Sequence, residues 1–159
     1  MKKEKIKIST AKKIHFADIL NLLDRLAYEH NRRSRFYKSP GKIRESNARM
    51  LKSNFSQADA IILIAVEGNL IVGCFIGDIR DGGRHIVPDE YAHIGSVYIL
   101  PMYRKKGILW RFRQRFKTWM RKRGVKDCML MVDSKNKQAI RAWKKVGFEI
   151  NLHRMYSRI

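Results

Sequence analysis

Just before residue 60 the hydrophobic period of this chain changes, and no other feature limits its possible folds as strongly. Up to that point Phe16, Ile19, Leu20, Leu22, Leu23, Leu26 and Ala27 recur at helical spacing. Beyond it, residues 60–66 and 70–76 are short, nearly continuous apolar runs around Glu67-Gly68-Asn69, which predicts a β-hairpin. Strands and helices must therefore share one core. A first strand is expected over 5–11, around Ile6 and Ile8, and a second helix over about 43–55. Residues 29–42, ending in Ser39-Pro40-Gly41, and residues 77–90, rich in Asp and Gly, read as loops. A strand over 91–100 stops at Pro101. Residues 108–123 form the clearest helix, with Leu109, Phe112, Phe116, Trp119 and Met120 in one stripe and Gly124 as its cap. A strand over 126–132, a helix over 136–146 ending at Gly147, and one or two strands within 148–159 complete the order. The strand–helix–strand passage near the end predicts a parallel pair. The expected fold is a single α/β domain over 1–159: a mixed, mostly antiparallel sheet of six or seven strands with helices on both faces.

A chain of 159 residues can bury a core without disulfides or a metal. Cys74 and Cys128 both sit in apolar runs and read as buried free thiols of a reducing compartment. No Cys/His spacing suits zinc, so no metal site is indicated. The N-terminus is basic but lacks the apolar stretch of a signal peptide, and no apolar run reaches the roughly 18 residues of a membrane span. The expected location is cytoplasmic, as a monomer or homodimer. The charge is lopsided: 35 Lys and Arg against 14 Asp and Glu, a net +21. Such a chain attracts anions and repels cations.

The informative junction is Ile99-Leu100-Pro101-Met102-Tyr103-Arg104-Lys105-Lys106-Gly107-Ile108-Leu109. A strand ends, a basic loop follows, and a helix opens at a glycine. The first N–H groups of a helix lack carbonyl partners and carry partial positive charge, which suits a phosphate or pyrophosphate. Arg104, Lys105 and Lys106 add full charges, and Gly107 removes a side chain that would block close approach. Alone, the segment is equally well read as a solvated basic turn.

It does not stand alone. Arg104-x-x-Gly107 resembles the acetyl-CoA-binding motif Q/R-x-x-G-x-G/A of the GCN5-related N-acetyltransferases (GNAT). The segment from Asn136 to Phe148 resembles that family's second motif, with Asn136, Ala139, Ile140, Lys145, Gly147 and Phe148 matching in type and spacing. The hairpin around Gly68 is similar to the family's as well. The resemblance implies acetyl-CoA as co-substrate, with its pyrophosphate against residues 105–109 (Lys105, Lys106, Gly107, Ile108 and Leu109). It implies a V-shaped opening between the strands at 91–100 and 126–132, with the backbone of Val97, Tyr98, Ile99 and Leu100 holding the pantetheine arm. Asn136, Ala139, Trp143 and Lys145 would complete the cofactor site. Two positions depart from the pattern. Leu109 replaces a small residue and is expected to join the apolar stripe. Trp143 replaces the tyrosine that often protonates the departing thiolate; an indole N–H donates a hydrogen bond but gives up no proton usefully. Tyr98, Tyr103, Ser134, Tyr156 or a water are alternatives that the sequence does not rank.

Acetyl transfer needs a deprotonated amine, N–H donors for the oxyanion and a stabilised leaving thiolate. In one branch of the family a catalytic glutamate lies six residues before the last apolar residue preceding the pyrophosphate loop. Counting back six from Ile99 gives His93, a suitable base at neutral pH, with Glu90 as runner-up. The other reading of His93 is a histidine satisfied by hydrogen bonds at a strand start. Finally, residues 91–126 contain no acid, whereas 101–126 hold eleven Lys and Arg. Solvated faces normally mix signs. The sequence therefore leaves two functions: an N-acetyltransferase acting on a primary amine of a protein, peptide, aminoacyl compound or small molecule, or a catalytically weak protein of this fold. The second would bind RNA, a ribosome or an acidic protein through Arg113, Lys117 and Arg121. No nucleic-acid motif with stacked aromatics supports the second reading.

Overall fold

A computed structural model of the chain describes residues 5–34, 36–84 and 88–157. The start of the basic N-terminus, residues 85–87 of the expected loop (His85 among them) and the last two residues of the expected closing strands lie outside the described residues. The elements run β1 (Lys7–Thr10), α1 (Phe16–Arg33), α2 (Pro40–Asn54), β2 (Ala60–Glu67), β3 (Leu70–Asp81), β4 (Glu90–Ile99), α3 (Ile108–Arg121), β5 (Cys128–Leu130) and α4 (Lys137–Lys145). The sheet order is β1-β2-β3-β4-β5, antiparallel throughout except for the parallel pair β4–β5.

Alternation along the strands divides the core in two. Leu63, Ala65, Val72 and Phe75 pack with Ile108, Phe112 and Phe116 of α3. Their neighbours Ile62, Ile64, Cys74 and Ile76 pack with Ile19 and Leu23 of α1 and Leu51 of α2. Successive strand side chains face opposite ways, so a nearly continuous apolar run serves both layers. Among the described residues no helix is long and apolar enough to cross a membrane.

Four expectations are corrected. The sheet has five strands, not six or seven: Phe148–Ser157 adds none. The pair His153-Arg154 breaks the alternation there, and Leu152, Met155 and Tyr156 face solvent rather than a second layer. The loop expected at 77–90 is shorter, because β3 continues to Asp81 and pairs with β4 back to Glu90. The loop expected at 29–42 is also shorter: no glycine or proline interrupts α1 before Arg33, and Pro40 opens α2 at the helical position proline suits. The buried stripe of α3 begins at Ile108, not Leu109, and runs through Phe112, Phe116 and Met120; Leu109 is half-buried beside it.

Candidate active site

The opening lies where β4 and β5 part. They pair at Ala92↔Cys128, His93↔Met129 and Ile94↔Leu130, and then β5 ends while β4 runs on to Ile99. Beyond Ile94 that edge of β4 has no strand partner among the described residues. Gly95 is an extra residue against β3, where Ile76 pairs with Ser96 but Gly77 with Ile94. Such a bulge re-aims the strand at this point. Leu100 N donates to Val72 O at 2.9 Å. Antiparallel alternation then turns the backbone groups of Tyr98 and Leu100 toward β3 and those of Val97 and Ile99 toward the open edge.

At the base of the opening stands His93, 9% exposed. Its strand neighbours Ala92 and Ile94 belong to the α3-side core, so its ring faces the α1 side. Its Nδ1 lies 3.0 Å from Oδ1 of Asp78, the residue directly opposite on β3. Arg80 Nε donates to both oxygens of the same carboxylate, at 3.2 and 3.3 Å. Burial alone would raise the Asp78 carboxyl; the hydrogen bonds from His93 and Arg80 outweigh it and hold the group below its ordinary range. An ionised carboxylate only accepts hydrogen bonds, so Nδ1 carries a proton, and in the neutral ring the lone pair falls on Nε2. That is the tautomer a general base needs.

At the mouth of the opening the loop before α3 is held open by backbone shape. Lys105 has φ +62 and Gly107, the N-cap of α3, φ +74. Arg111 N returns to Gly107 O, so the N–H groups of Gly107, Ile108, Leu109 and Trp110 precede any helical partner. A Cβ at Gly107 would meet nothing within 4 Å, leaving that space for a ligand. Lys105 is exposed; Lys106 lies over the Tyr103 ring at 4.6 Å.

Arg104 is turned inward. Its Nε donates to Ile99 O at 2.9 Å and its Nη2 to Glu29 Oε1 at 2.7 Å. Glu29, on α1, also accepts from Tyr98 Oη at 3.0 Å and from Arg33 at 3.1 Å. Burial opposes the Glu29 charge, but the hydrogen bonds from Arg104 and Tyr98 and the charges of Arg104 and Arg33 keep its carboxyl below the usual range. Burial and the bond to Glu29 push the Tyr98 phenol up, so it remains a donor. Glu29 and Tyr98 also line a cleft of about 400 Å³ with Asp24, Arg25, Tyr28 and Arg32 on the α1 side.

Of the second-motif residues, Asn136 caps α4, its Oδ1 accepting from Ala139 N at 3.1 Å. Trp143 is half-buried and meets Phe148 edge-on, centroids 5.2 Å apart. Lys145 is exposed. Among the tyrosines considered as acids, Tyr98 and Tyr103 give their hydroxyls to Glu29 and Glu67, whereas Tyr156 is exposed. Sequence reasoning missed Asp78 and Glu29. Asp78 shares the parity of Cys74 and Ile76, which was the signal that the strand continues; Glu29 lies in a helix that nothing in the sequence stops.

A family model described as the acetyltransferase (GNAT) family matches residues 19–148. Among solved structures, the aminoglycoside N-acetyltransferase AAC(6')-Iy in complex with CoA superposes with a TM-score of 0.81 at 15% identity, covering 98% of this chain and 95% of the other. The aminoglycoside 6'-N-acetyltransferase AAC(6')-Ih of Acinetobacter baumannii gives 0.75 at 15% identity, with 98% of both chains covered. A predicted acetyltransferase with acetyl-CoA from Clostridium acetobutylicum gives 0.77 at 15% identity, covering 97% and 96%. A search of curated protein sequences gave no match.

Proposed function

Because the chain belongs to the GNAT acetyltransferase family, and is an acyltransferase by that membership, we propose that it moves the acetyl group of acetyl-CoA to a primary amine by direct attack on the thioester. The observation that carries this reading is the opening between β4 and β5, with the His93–Asp78 pair at its base and the bare N-terminus of α3 at its mouth. The free N–H groups of residues 107–110 take the pyrophosphate, helped by Lys105. The outward backbone groups of Val97 and the N–H of Ile99 receive the pantetheine arm, the Ile99 carbonyl being taken by Arg104. His93 Nε2 accepts the amine proton, and Asp78 holds the ring and stabilises the imidazolium that forms. Trp143 supplies ring surface to the site and no proton to the thiolate.

Arg104 serves this site at one remove. Tied to Ile99 O and Glu29, it positions the loop and leaves phosphate contact to the backbone and Lys105. The acceptor enters over α1. With a net charge of +21, the protein repels polycations, so the acceptor is an amine on a neutral or anionic molecule: a protein, peptide, aminoacyl compound or small metabolite. The aminoglycoside substrates named for two of the structural neighbours are polyamines and fit that charge poorly.

Two measurements test the reading. A panel of acceptor amines, peptides and aminoacyl-tRNA assayed for CoA release should give turnover with a non-polycationic member. Gly107→Val should remove acetyl-CoA binding, at least about 100-fold in Kd, with the fold retained. Its Cβ meets no protein atom within 4 Å, and the strain of a β-branched residue at this left-handed position costs about 1–3 kcal/mol. Wild-type acetyl-CoA affinity in this variant would remove the pyrophosphate site from α3.

A further inference from the structure

The α3 side of the molecule holds a cationic groove that acetyl transfer leaves unused. It has a volume of about 300 Å³ and is lined by Arg113, Lys117, Arg121 and Lys126, with Met120 and Val125. Gly124, at φ +73, turns the chain back after α3 and brings Lys126 to the same groove. Among the described residues none of these four cations is in an ion pair. The guanidinium of Arg113 lies over the Phe148 ring at 5.1 Å, and its Nε and Nη1 are buried without a hydrogen-bond partner. Buried, unpaired charge is costly, and among the described residues no carboxylate is in an ion pair with Arg113.

Position separates the groove from the cofactor site. At 1.5 Å per residue, Lys117 and Arg121 lie about 14 and 20 Å along the helix from Ile108. Arg113, Lys117 and Arg121 follow one another at intervals of four residues, about 6 Å apart, so the row is about 12 Å long. One phosphate cannot span it. A regular row of like charges on a rigid helix suits an anion that repeats along its own length, and a phosphodiester strand does so without residue-by-residue matching. An arginine fork among lysines also suits phosphate oxygens. The groove is too small for a duplex and no aromatic ring lines it, so it reads backbone and not base.

We infer that this groove binds a single nucleic-acid strand through its phosphodiester backbone, without sequence preference and independently of acetyl transfer. The test is titration of the full chain with a fluorescent oligouridylate across a salt series, beside acetyl-CoA titration. Each phosphate neutralised on a single strand adds about 0.7 to the salt slope, so four contacts predict a slope near −3. The double variant Lys117→Gln, Arg121→Gln alters two exposed side chains and should keep the fold. It should weaken oligouridylate at least about tenfold at low salt and reduce the slope by about 1.4, with acetyl-CoA affinity within about twofold of wild type. The matched control Arg49→Gln, Lys52→Gln on α2 removes the same charge elsewhere and should change little. Equal losses in the control would assign the binding to net charge. A parallel loss of acetyl-CoA affinity would merge the two sites. Displacement by polyglutamate at equal charge concentration would replace the nucleic acid by an acidic protein. Each of these three results overturns the inference.

Discussion

The two faces of the sheet use their charges in opposite ways. On the α1 side, cations and carboxylates are interlocked: Glu29 gathers Arg104, Arg33 and Tyr98, and Asp78 gathers Arg80 and His93. On the α3 side the core is aromatic, with Phe75 within 5.7 Å of Phe112 and 4.9 Å of Phe116, and among the described residues the cations of α3 are in no ion pair. Charge of the first kind aims side chains within the molecule. Charge of the second kind is directed outward. Net charge alone, which cannot tell these uses apart, says much about encounters and little about chemistry.

The largest effect that can break this comparison is catalytic. His93→Ala should lower kcat by on the order of 10²–10⁴ and remove the acidic limb of the pH–rate profile. Asp78→Asn keeps the packing but no longer fixes the proton on Nδ1, and should lower kcat by up to the order of 10⁴. Wild-type turnover in both variants would make the pair a structural hydrogen bond and leave the α1 face without chemistry.

A smaller effect is expected at Glu29. Glu29→Gln keeps an acceptor for Tyr98 but loses the charge facing Arg104, an interaction worth about 1–2 kcal/mol after allowance for partial exposure. Acetyl-CoA KM should rise about 5- to 30-fold with kcat nearly unchanged. A fall in kcat at constant KM would move Glu29 from loop positioning to the acceptor side. The carboxyls of Glu29 and Asp78 both lie below their ordinary values of 4.5 and 3.8 in the folded state. The stability they add is therefore complete above those values and is lost as pH falls through them toward the lowered folded ones. Acid unfolding of Glu29→Gln should accordingly be flatter than that of the wild type.

The smallest effect concerns the apolar side. A Cβ at Gly77 would stand 2.5 Å from Phe116 Cε2, so Gly77→Ala should cost about 1–3 kcal/mol of stability, read as a lower denaturant midpoint. Unchanged stability would show that the aromatic layer has room to shift, unlike the interlocked face opposite.

Much of this arrangement was legible in the sequence, for identifiable reasons. The period change marked both core layers, because each apolar run from 60 to 76 supplies two faces at once. The loop before α3 was legible because glycine at a helix start and a preceding basic run are local signals. His93 was found by counting along a strand. Its partner Asp78 was not, because it lies 15 positions away and meets His93 only through the β3–β4 register. Glu29 is farther still, 75 positions from Arg104, and no local pattern reports such a meeting. The closing strands failed for another reason: a strand needs a partner strand, and among the described residues Phe148–Ser157 pairs with none and leaves Leu152, Met155 and Tyr156 exposed.

The brevity of β5 has a consequence for how the molecule comes apart. Among the described residues only Cys128–Leu130 pairs the last fifth, residues 128–157, with the sheet, while β2, β3 and β4 pair along most of their length. None of the residues of α4 is fully buried. Opening free energies follow such differences in anchoring. Amide protons of residues 128–145 should therefore exchange with deuterium well before those of the central strands, as a separate cooperative unit. Ligand seated in the opening would bridge that unit to β4 and slow its exchange. The wall of the site built last in the sequence would then be the first to loosen and the one most tightened by occupancy.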